Sequence, residues 1–250
     1  MDLGLAGRTA IITGGTAGIG AGITEALASE GVNIAAVYRS SPEQSQFFLR
    51  HIESVYKVSA IGIQDDISIE SNCKDAYDRA IDRFGTIDIL INNAAGGAVN
   101  KPLEEVTLDE WNTTMNGCLT NVFLMTRRFI AECKRNKHEG CIVNVSAKAG
   151  LHGSGKNKVP YATAKGAVAM MTRSLAKDVI DDGIRVNAII PGYVETRYYS
   201  EHSEVRDEVT KKLHVGWATP QDMGSIVTYL CSDMSKQIVG ALIDCTGGTM

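Results

Sequence analysis

The 250-residue chain lacks the features that suit a nucleic-acid partner, a membrane or a metal ion. Its net charge is −4 with 22% charged residues, so it has no basic excess for nucleic acid or an anionic membrane. No apolar run reaches the ~20 residues that span a bilayer, and Met1–Arg8 holds no basic-then-apolar signal pattern. The five histidines never fall at HxxxH or HExxH spacing, which argues against a metal site. We therefore expect a cytoplasmic protein that binds no metal, nucleic acid or membrane.

The cysteines are also scattered, six in all with no CxxC pair. Without a secretion signal, a chain of this size is expected to keep them as reduced thiols rather than as a disulfide framework. We interpret five of them as small, buried apolar residues. Cys118 is set apart, because its place in the chain bears on catalysis.

Seven short β-rich runs alternate with six longer segments of helical apolar spacing. The strand runs are Thr9–Ile12, Asn33–Val37, Ser59–Ile63, Ile87–Ile91, Cys141–Val145, Arg185–Ile190 and Ala241–Asp244. The helical segments are Gly18–Glu30, Pro42–Val55, Glu70–Phe84, Leu108–Lys134, Val159–Asp181 and Pro220–Cys231. This alternation predicts one α/β domain over residues 1–250, with a doubly wound parallel sheet and helices on both faces.

Residues 193–217 interrupt the alternation between the sixth strand and the last helix, and they predict an active-site lid. Their aromatic side chains are Tyr193, Tyr198, Tyr199, His202 and Trp217. Such side chains suit the covering of a flat or cyclic ligand. A lid packed on its own apolar core explains them equally well.

A glycine turn, Thr13-Gly14-Gly15-Thr16-Ala17-Gly18-Ile19-Gly20, joins the first strand to the first helix. Glycine allows a tight turn and the close approach of a pyrophosphate to the backbone. The helix N-terminus adds unpaired N–H groups and a favourable dipole. Because the turn lies between a strand and a helix near the chain start, it predicts binding of a nicotinamide dinucleotide; the plainer alternative is an ordinary βα turn.

The end of the second strand, Val37-Tyr38-Arg39-Ser40, bears on which dinucleotide is bound. An acid there would accept a hydrogen bond from the ribose 2′-hydroxyl of NAD, but Tyr38 occupies that position. Arg39 follows, and its planar fork can bind a 2′-phosphate, which favours NADP(H). The alternative is that Arg39 is only a solvated charge. Asp66, after the third strand, is a candidate acceptor for the adenine amino group.

Tyr161 and Lys165 stand four residues apart in a predicted helix and therefore share one face of it. A phenol with an unperturbed pKa of ~10 is a poor acid–base group at neutral pH. A nearby ammonium favours the phenolate and lowers that pKa. Tyr161 is thus a candidate to exchange a proton with a substrate oxygen while a hydride moves at the nicotinamide. Taken alone, the pair also fits an ordinary helix surface.

Together these features resemble the short-chain dehydrogenase/reductase family over essentially the whole chain. The matching motifs, in order, are Thr13–Gly20, Asn92-Asn93-Ala94-Ala95-Gly96, Tyr161-Ala162-Thr163-Ala164-Lys165, Arg185-Val186-Asn187, Pro191-Gly192 with Thr196, and Gly247-Gly248. The resemblance implies a Rossmann-type seven-stranded sheet and NAD(P)-dependent redox chemistry on alcohols and ketones of small organic molecules. The segment Tyr38-Arg39-Ser40-Ser41 resembles the NADPH-preferring members, including the ketoacyl reductases.

The resemblance also implies residue roles. Tyr161 would be the acid–base, and Lys165 would bind the nicotinamide ribose and lower the tyrosine pKa. Asn92 would support the cofactor and the central sheet, and residues Ile190–Thr196 would line the nicotinamide pocket. The full set of implied cofactor contacts is Gly14, Thr16, Gly18, Ile19, Gly20, Tyr38, Arg39, Ser40, Asp66, Ile67, Asn93, Ala94, Tyr161, Lys165, Pro191, Gly192, Val194 and Thr196.

Two positions depart from the family, whose usual tetrad adds a serine and an asparagine to the Tyr–Lys pair. The serine position reads Ala147, with Ser146 as its neighbour, and the asparagine position, counted from Trp111, reads Cys118. The segment before Tyr161 is one residue longer than usual, so the register there could differ. A missing serine removes one hydrogen bond to the substrate oxygen, about 2–4 kcal/mol of transition-state stabilisation by analogy with a lost oxyanion donor. A missing asparagine leaves the water chain that returns a proton to the tyrosine less well anchored.

Four polar residues are candidates to replace the missing donor: Ser146, Lys148, His152 and Ser154. We hypothesise that Ser154 or Ser146 does so, and Ser146 is the candidate placed with Tyr161 and Lys165 in the catalytic set. The alternative is that all four are ordinary loop residues.

Two functions remain open. The first is an NADPH-dependent oxidoreductase that reduces a carbonyl, or oxidises the alcohol, of a small organic molecule. The second is a cofactor-binding protein of the same fold with weak or no redox turnover, which binds a ligand or catalyses an isomerase- or cyclase-type step. The family also implies a homotetramer or homodimer built on the long fourth and fifth helices. Residues compatible with such an interface are Leu119, Val122, Phe123, Met125, Met170 and Met171.

Overall fold

The alternating strand runs pair into one seven-stranded parallel sheet in the computed structural model, which describes residues 2–249. The strands are β1 (Thr9–Thr13), β2 (Asn33–Tyr38), β3 (Ala60–Gln64), β4 (Ile89–Asn92), β5 (Gly140–Val145), β6 (Ile184–Pro191) and β7 (Leu242–Cys245). Their order across the sheet is β3-β2-β1-β4-β5-β6-β7, with every neighbouring pair parallel. The strand order reverses between β1 and β4, and ligands of such sheets bind outside the carboxyl ends of the strands at that point. The predicted single-domain, doubly wound Rossmann fold is therefore confirmed.

The helices lie between the strands, and all six predicted helical segments are present. They are α1 (Gly18–Ser29), α2 (Pro42–Tyr56), α3 (Glu70–Phe84), α4 (Leu108–Met115), α5 (Asn121–Asn136), α6 (Lys148–His152), α7 (Val159–Asp178), α8 (Arg197–Glu201), α9 (Ser203–Thr210) and α10 (Pro220–Cys231). A π-helical segment, Asn116–Thr120, divides the predicted long fourth helix into α4 and α5. The short helices α6, α8 and α9 are not predicted by the sequence pattern. No helix within residues 2–249 is long and apolar enough to cross a membrane.

The central strands are buried on both faces, as their unbroken apolar runs predict. On one face Ile12 and Val143 pack with residues of α1 and α10. On the other face Ile11 and Ile142 pack with residues of α3 and α5. These two apolar layers hold the carboxyl ends of the strands in fixed positions, and the functional side chains follow directly after those ends.

The predicted lid, residues 193–217, forms α8 and α9, and its two ends are hydrogen-bonded to each other. Val194 pairs with Ala218 in a parallel bridge. The backbone N–H of Glu195 donates to the carbonyl oxygen of Ala218 at 2.8 Å, and that of Ala218 donates to Tyr193 at 3.2 Å. The segment is therefore more regular than its polar sequence suggests, although Val209 is the one buried residue of the two helices.

Candidate active site

A groove of about 860 Å³ runs along the carboxyl ends of the strands from the end of β2 to helix α7. It brings together residues that are far apart in the sequence. The predicted site residues that line it are Gly14, Thr16, Ile19, Tyr38, Arg39, Ser40, Asp66, Ile67, Asn93, Ala94, Tyr161 and Thr196. One continuous groove therefore joins the predicted adenosine end, at Arg39, to the predicted reacting end, at Tyr161.

The glycine turn is held in shape by Asn93, which follows β4. The side-chain amide of Asn93 donates to the carbonyl oxygens of Thr13 at 2.9 Å and Gly14 at 3.2 Å. At Gly20, a Cβ atom would lie 2.0 Å from the carbonyl oxygen of Gly14, so no side chain fits there. The turn leads directly into Gly18, the first residue of α1. This tight glycine turn at a helix N-terminus fits the pyrophosphate of a dinucleotide.

The end of β2 places a cation beside the groove and no acid at the Tyr38 position. The hydroxyl of Tyr38 accepts a hydrogen bond from Gln46 at 3.2 Å. The guanidinium of Arg39 is 66% exposed, and one of its nitrogens lies 3.8 Å from an oxygen of Asp66. Hydrogen bonds from the hydroxyl and backbone N–H of Ser68 lower the pKa of Asp66, with Arg39 adding to the effect. Asp66 is thus ionised and able to accept from an adenine amino group, and Arg39, although within ion-pair distance of Asp66, is exposed enough to meet an anion.

Tyr161 and Lys165 differ in what surrounds them. Tyr161 lines the groove, whereas the ammonium of Lys165 is buried and donates to the carbonyl oxygen of Val145 at 2.8 Å. Burial raises the pKa of Tyr161 to about 12, with Cys118 and Tyr199 adding to the rise, and burial lowers the pKa of Lys165. The expected lowering of the tyrosine pKa by Lys165 is therefore not found, because β5 holds the ammonium and the phenol is shielded from water.

The side chain of Ser146 is turned toward helix α7. Its side chain is buried, and its hydroxyl donates to the backbone carbonyl oxygen of Lys165 at 2.8 Å. Ala147 follows in extended backbone at φ −162° and ψ 156°, so its side chain points to the opposite side from that of Ser146. Ser146 therefore joins β5 to α7, and Ala147 takes the position facing away from that joint; a role of Ser146 as donor to the substrate stays a prediction, which this contact does not favour.

The other three candidate donors lie on α6 and the loop after it. Ser154 is exposed and its hydroxyl donates to Gly155 at 3.2 Å, within its own loop. His152 is exposed and lies near the carboxylate of Asp244, whose pKa it helps to lower. Lys148 is half-buried, and its ammonium lies 5.1 Å from the ring centroid of Tyr193. Of the three, Lys148 is therefore the one that contacts the aromatic residues of the lid.

Cys118 lies in the groove wall, inside the π-helical segment. Its buried thiol donates a weak hydrogen bond to the carbonyl oxygen of Gly96 at 3.4 Å. Asn121, one turn later, donates its side-chain amide to Ala94 at 3.1 Å and Gly117 at 2.9 Å. Such π-bulges are frequent at functional sites. Asn121 therefore holds the loop after β4, and Cys118 is the residue of the π-helical segment that is buried in the groove wall.

A chain of buried amides and hydroxyls runs through the sheet beneath the site. The side-chain amide of Asn92 donates to Asn144 at 2.8 Å and to Thr126 at 2.9 Å. The amide of Asn144 in turn donates to Thr172 of α7 at 2.9 Å. The chain therefore links α5, β4, β5 and α7. The sequence signal for this hydrogen-bond chain is Asn144, a polar residue inside an otherwise apolar strand.

Several groove residues are not predicted by the motifs. They are Gln44, Ser45, Asp65, Ser68, Ala98, Gly117 and Arg197. Ser45 is an example, because its hydroxyl lies 2.8 Å from that of Thr16 and so connects α2 to the glycine turn. Six predicted contacts do not line the groove: Gly18, Gly20, Lys165, Pro191, Gly192 and Val194. Within residues 2–249, no three His, Cys, Asp or Glu side chains group as a metal site.

Comparison with known proteins shows which family the chain belongs to. A model of the short chain dehydrogenase family matches residues 8–207. The chain is 33% identical over 249 residues to the 3beta-hydroxysteroid dehydrogenase 1 of Eggerthella lenta, a match covering 98% of this chain and 94% of that one. It is 30% identical over 250 residues to the 3-oxoacyl-(acyl-carrier-protein) reductase of Aquifex aeolicus, covering 99% of each. L-sorbose reductase from Gluconobacter frateurii, solved in complex with NADPH and L-sorbose, superposes with a TM-score of 0.92 at 25% identity over 100% of this chain and 99% of that one. The chain therefore belongs to the short chain dehydrogenase family and is an NAD(P)-dependent oxidoreductase.

Proposed function

We propose that this protein is an NADPH-dependent reductase of a carbonyl group in a small organic molecule. The observation that carries the proposal is the continuous groove, which has Arg39 near one end and the phenol of Tyr161 at the other. A dinucleotide placed along it would bring its nicotinamide next to Tyr161. Small-molecule dehydrogenases and reductases are also the activities for which the relatives above are named.

NADP(H) rather than NAD(H) is supported by the residues at the end of β2. No acid stands at the Tyr38 position to bind a free 2′-hydroxyl, and the fork of Arg39 is exposed beside the hydroxyl residues Ser40 and Ser41. A guanidinium binds phosphate with two parallel charge-assisted hydrogen bonds. The structurally similar L-sorbose reductase was solved with NADPH, which agrees with this choice.

In the proposed reaction Tyr161 acts as the proton donor. A bound nicotinamide supplies the hydride to the carbonyl carbon. Tyr161 gives its phenolic proton to the carbonyl oxygen as negative charge develops there. Because burial raises the pKa of Tyr161 to about 12, the phenol is protonated at neutral pH, which is the form that reduction requires. Lys165, one turn along α7, would hold the ribose beside the nicotinamide by turning its ammonium from the carbonyl oxygen of Val145 toward the groove.

A second candidate is a cofactor-binding protein that performs no redox turnover. The observations that favour it are Ala147 and Cys118 at the two tetrad positions, together with the hydroxyl of Ser146, which is bonded to Lys165. Such a site would retain the dinucleotide and use the pocket for ligand binding or for a step such as isomerisation.

NADPH oxidation with a panel of ketones separates the two candidates. The reductase predicts turnover by the wild type and its loss in Tyr161→Phe, with binding of NADPH retained. Tyr229→Phe is a matched control, because Tyr229 is 41% exposed on α10 and outside the groove. If the wild type binds NADPH tightly and oxidises none of the panel, the reductase proposal is wrong and the non-redox candidate takes its place.

The expected homodimer or homotetramer stays a prediction. Phe123 on α5 and Met170 on α7 support it, because their side chains are 46% and 59% exposed. Val122 and Met125 lie in the core instead and are not available for an interface. The cytoplasmic location also stays a prediction.

A further inference from the structure

We propose that Lys148 binds an anionic group of the substrate, so that the preferred substrates are oxo acids rather than neutral ketones. The inference rests on the proposed carbonyl reductase, and it assigns a substrate class to the same site. It starts from a lysine that immediately follows Ala147, the position where the family usually has its catalytic serine.

The backbone places Lys148 near the helix that bears Tyr161, beside the residues that line the groove rather than among them. It begins α6, three residues after β5 ends at Val145, and β5 is the neighbour of β6. Ser146 is joined to β6 by a backbone hydrogen bond to Ile189 at 3.0 Å, and its hydroxyl is bonded to Lys165 of α7. The start of α6 is therefore fixed against the helix that bears Tyr161, at the carboxyl edge of the sheet where substrates bind.

The ammonium of Lys148 has a neighbour but no counter-ion. It lies over the ring of Tyr193, at 5.1 Å from the centroid. A ring face attracts a cation without neutralising it. Among residues 2–249, no carboxylate lies within ion-pair distance of this ammonium, and no side-chain or backbone oxygen accepts its hydrogen bonds. Its three N–H donors are therefore left for a ligand.

The carboxylates of the surrounding segments are engaged elsewhere or absent. Residues 140–177, which include β5, α6 and most of α7, contain no Asp or Glu. Asp244 of β7 accepts from the backbone N–H of Thr246 at 2.8 Å and lies near His152. Glu195 of the lid is ion-paired with Arg206. The charge of Lys148 thus has no carboxylate partner among these segments, and an anionic substrate would supply one.

The aromatic residues of the lid give the ammonium a partly dry setting. The ring of Tyr193 lies 6.3 Å from that of Tyr199 and 6.4 Å from that of Trp217, both edge to face. Tyr199 is also close enough to Tyr161 to raise its pKa. This aromatic wall therefore extends from Lys148 to the catalytic phenol. An ion pair beside it is stronger than one in open water, because the effective dielectric constant is lower.

Matched pairs of substrates test the proposal. The wild type, Lys148→Gln and Lys148→Arg would be assayed with 2-oxopentanoate, 3-oxopentanoate and 4-oxopentanoate, each beside its methyl ester. The ester keeps the ketone and removes the charge. We expect the wild type to prefer at least one acid over its ester by about 10- to 100-fold in kcat/KM, the range for a hydrogen bond to a charged group. Lys148→Gln should bring that ratio close to one, and Lys148→Arg should restore most of it.

Lys156→Gln is the matched control, since Lys156 is an exposed lysine of the loop after α6 and should leave the ratio unchanged. The preference should also fall as salt is raised, because salt screens the ion pair. Equal use of acids and esters by the wild type, or an unchanged ratio in Lys148→Gln, would overturn the proposal. If no compound is reduced, the proposed function has failed separately. Calorimetric titration with the same acids and esters then decides on Lys148: acid-selective binding that Lys148→Gln abolishes supports it, and no such selectivity refutes it.

Discussion

Restoring a hydroxyl at position 147 should raise the activity of this enzyme. Ala147 follows Ser146 in extended backbone, and the side chain of Ser146 is turned toward Lys165, so the side chain of residue 147 faces the other way. Ala147 is only half-buried, so the added oxygen of Ala147→Ser fits without displacing the core. A second donor to the carbonyl oxygen would then assist Tyr161 in the transition state.

The magnitude follows from the value of one such donor. Removal of an oxyanion donor costs about 2.7–4 kcal/mol, or about 10²–10³ in kcat. The serine introduced here would have no supporting contacts to fix its rotamer, so we expect a gain of about tenfold in kcat for ketone reduction, with a smaller change in KM. Steady-state NADPH oxidation measures it.

Ser146→Ala is the matched control for this variant. It deletes a buried hydrogen bond to Lys165, so it should lower the free energy of unfolding by about 1 kcal/mol. Because that hydroxyl does not face the substrate, kcat should change much less than in Ala147→Ser. Loss of activity in Ala147→Ser, or a fall in kcat of Ser146→Ala as large as that expected for a catalytic donor, would refute this account of the two positions.

Three further predictions follow from single features. Arg39→Leu should raise KM for NADPH by about 10- to 100-fold, because charge-assisted bonds to the phosphate are lost, and it should leave KM for NADH unchanged. Arg50→Leu on α2 is the exposed control. Equal effects of Arg39→Leu on both cofactors would contradict the role of Arg39 in binding the 2′-phosphate. Burial raises the pKa of Tyr161 to about 12, and alcohol oxidation needs the phenolate. The initial rate of oxidation should therefore rise about tenfold per pH unit between pH 6 and 9, while the initial rate of reduction stays level. An oxidation rate that reaches a plateau by pH 8 would contradict this prediction. Thr219→Ala removes the cap at the start of α10, where the threonine oxygen accepts from the N–H of Asp222 at 3.1 Å. Urea denaturation should show a free energy of unfolding lower by about 1 kcal/mol. The control Ser225→Ala should leave it unchanged. The hydrogen bonds from Thr219 also lower the pKa of Asp222. The stabilisation that this cap gives should therefore be present near neutral pH and be lost as the pH falls below 3.8, the usual pKa of the carboxyl.

The strands and the dinucleotide motif could be predicted because both depend on local patterns. The run Ile87–Ile91 is an example: its isoleucines are fully buried, although pairing with β1 begins only at Ile89. Helix α6 could not be predicted, because Gly150 weakens its helical pattern. That glycine is needed for packing, since a Cβ atom there would lie 2.5 Å from the backbone carbon of Lys165. A requirement set by a residue fifteen positions away is not visible in a local window.

The errors at the catalytic residues have the same origin. Spacing places Tyr161 and Lys165 on one face of α7, but it does not show that the end of β5 offers the carbonyl oxygen of Val145 to the ammonium. Motif counting does place Cys118 at the site, but the apolar period continues through residues 116–120 and does not predict the π-helical segment there. Tertiary hydrogen bonds decide both arrangements.

One short stretch of the lid, residues 196–199, lies beside both the cofactor groove and Tyr161. Thr196, Arg197 and Tyr198 line the dinucleotide groove, and Tyr199 is close enough to Tyr161 to shift its pKa. A cofactor that orders the first three residues therefore also completes the wall around the substrate. The kinetic order should follow: NADPH binds before the ketone, and the oxidised cofactor leaves last. Inhibition by the alcohol product should accordingly be mixed with respect to the ketone, whereas a random order would make it competitive.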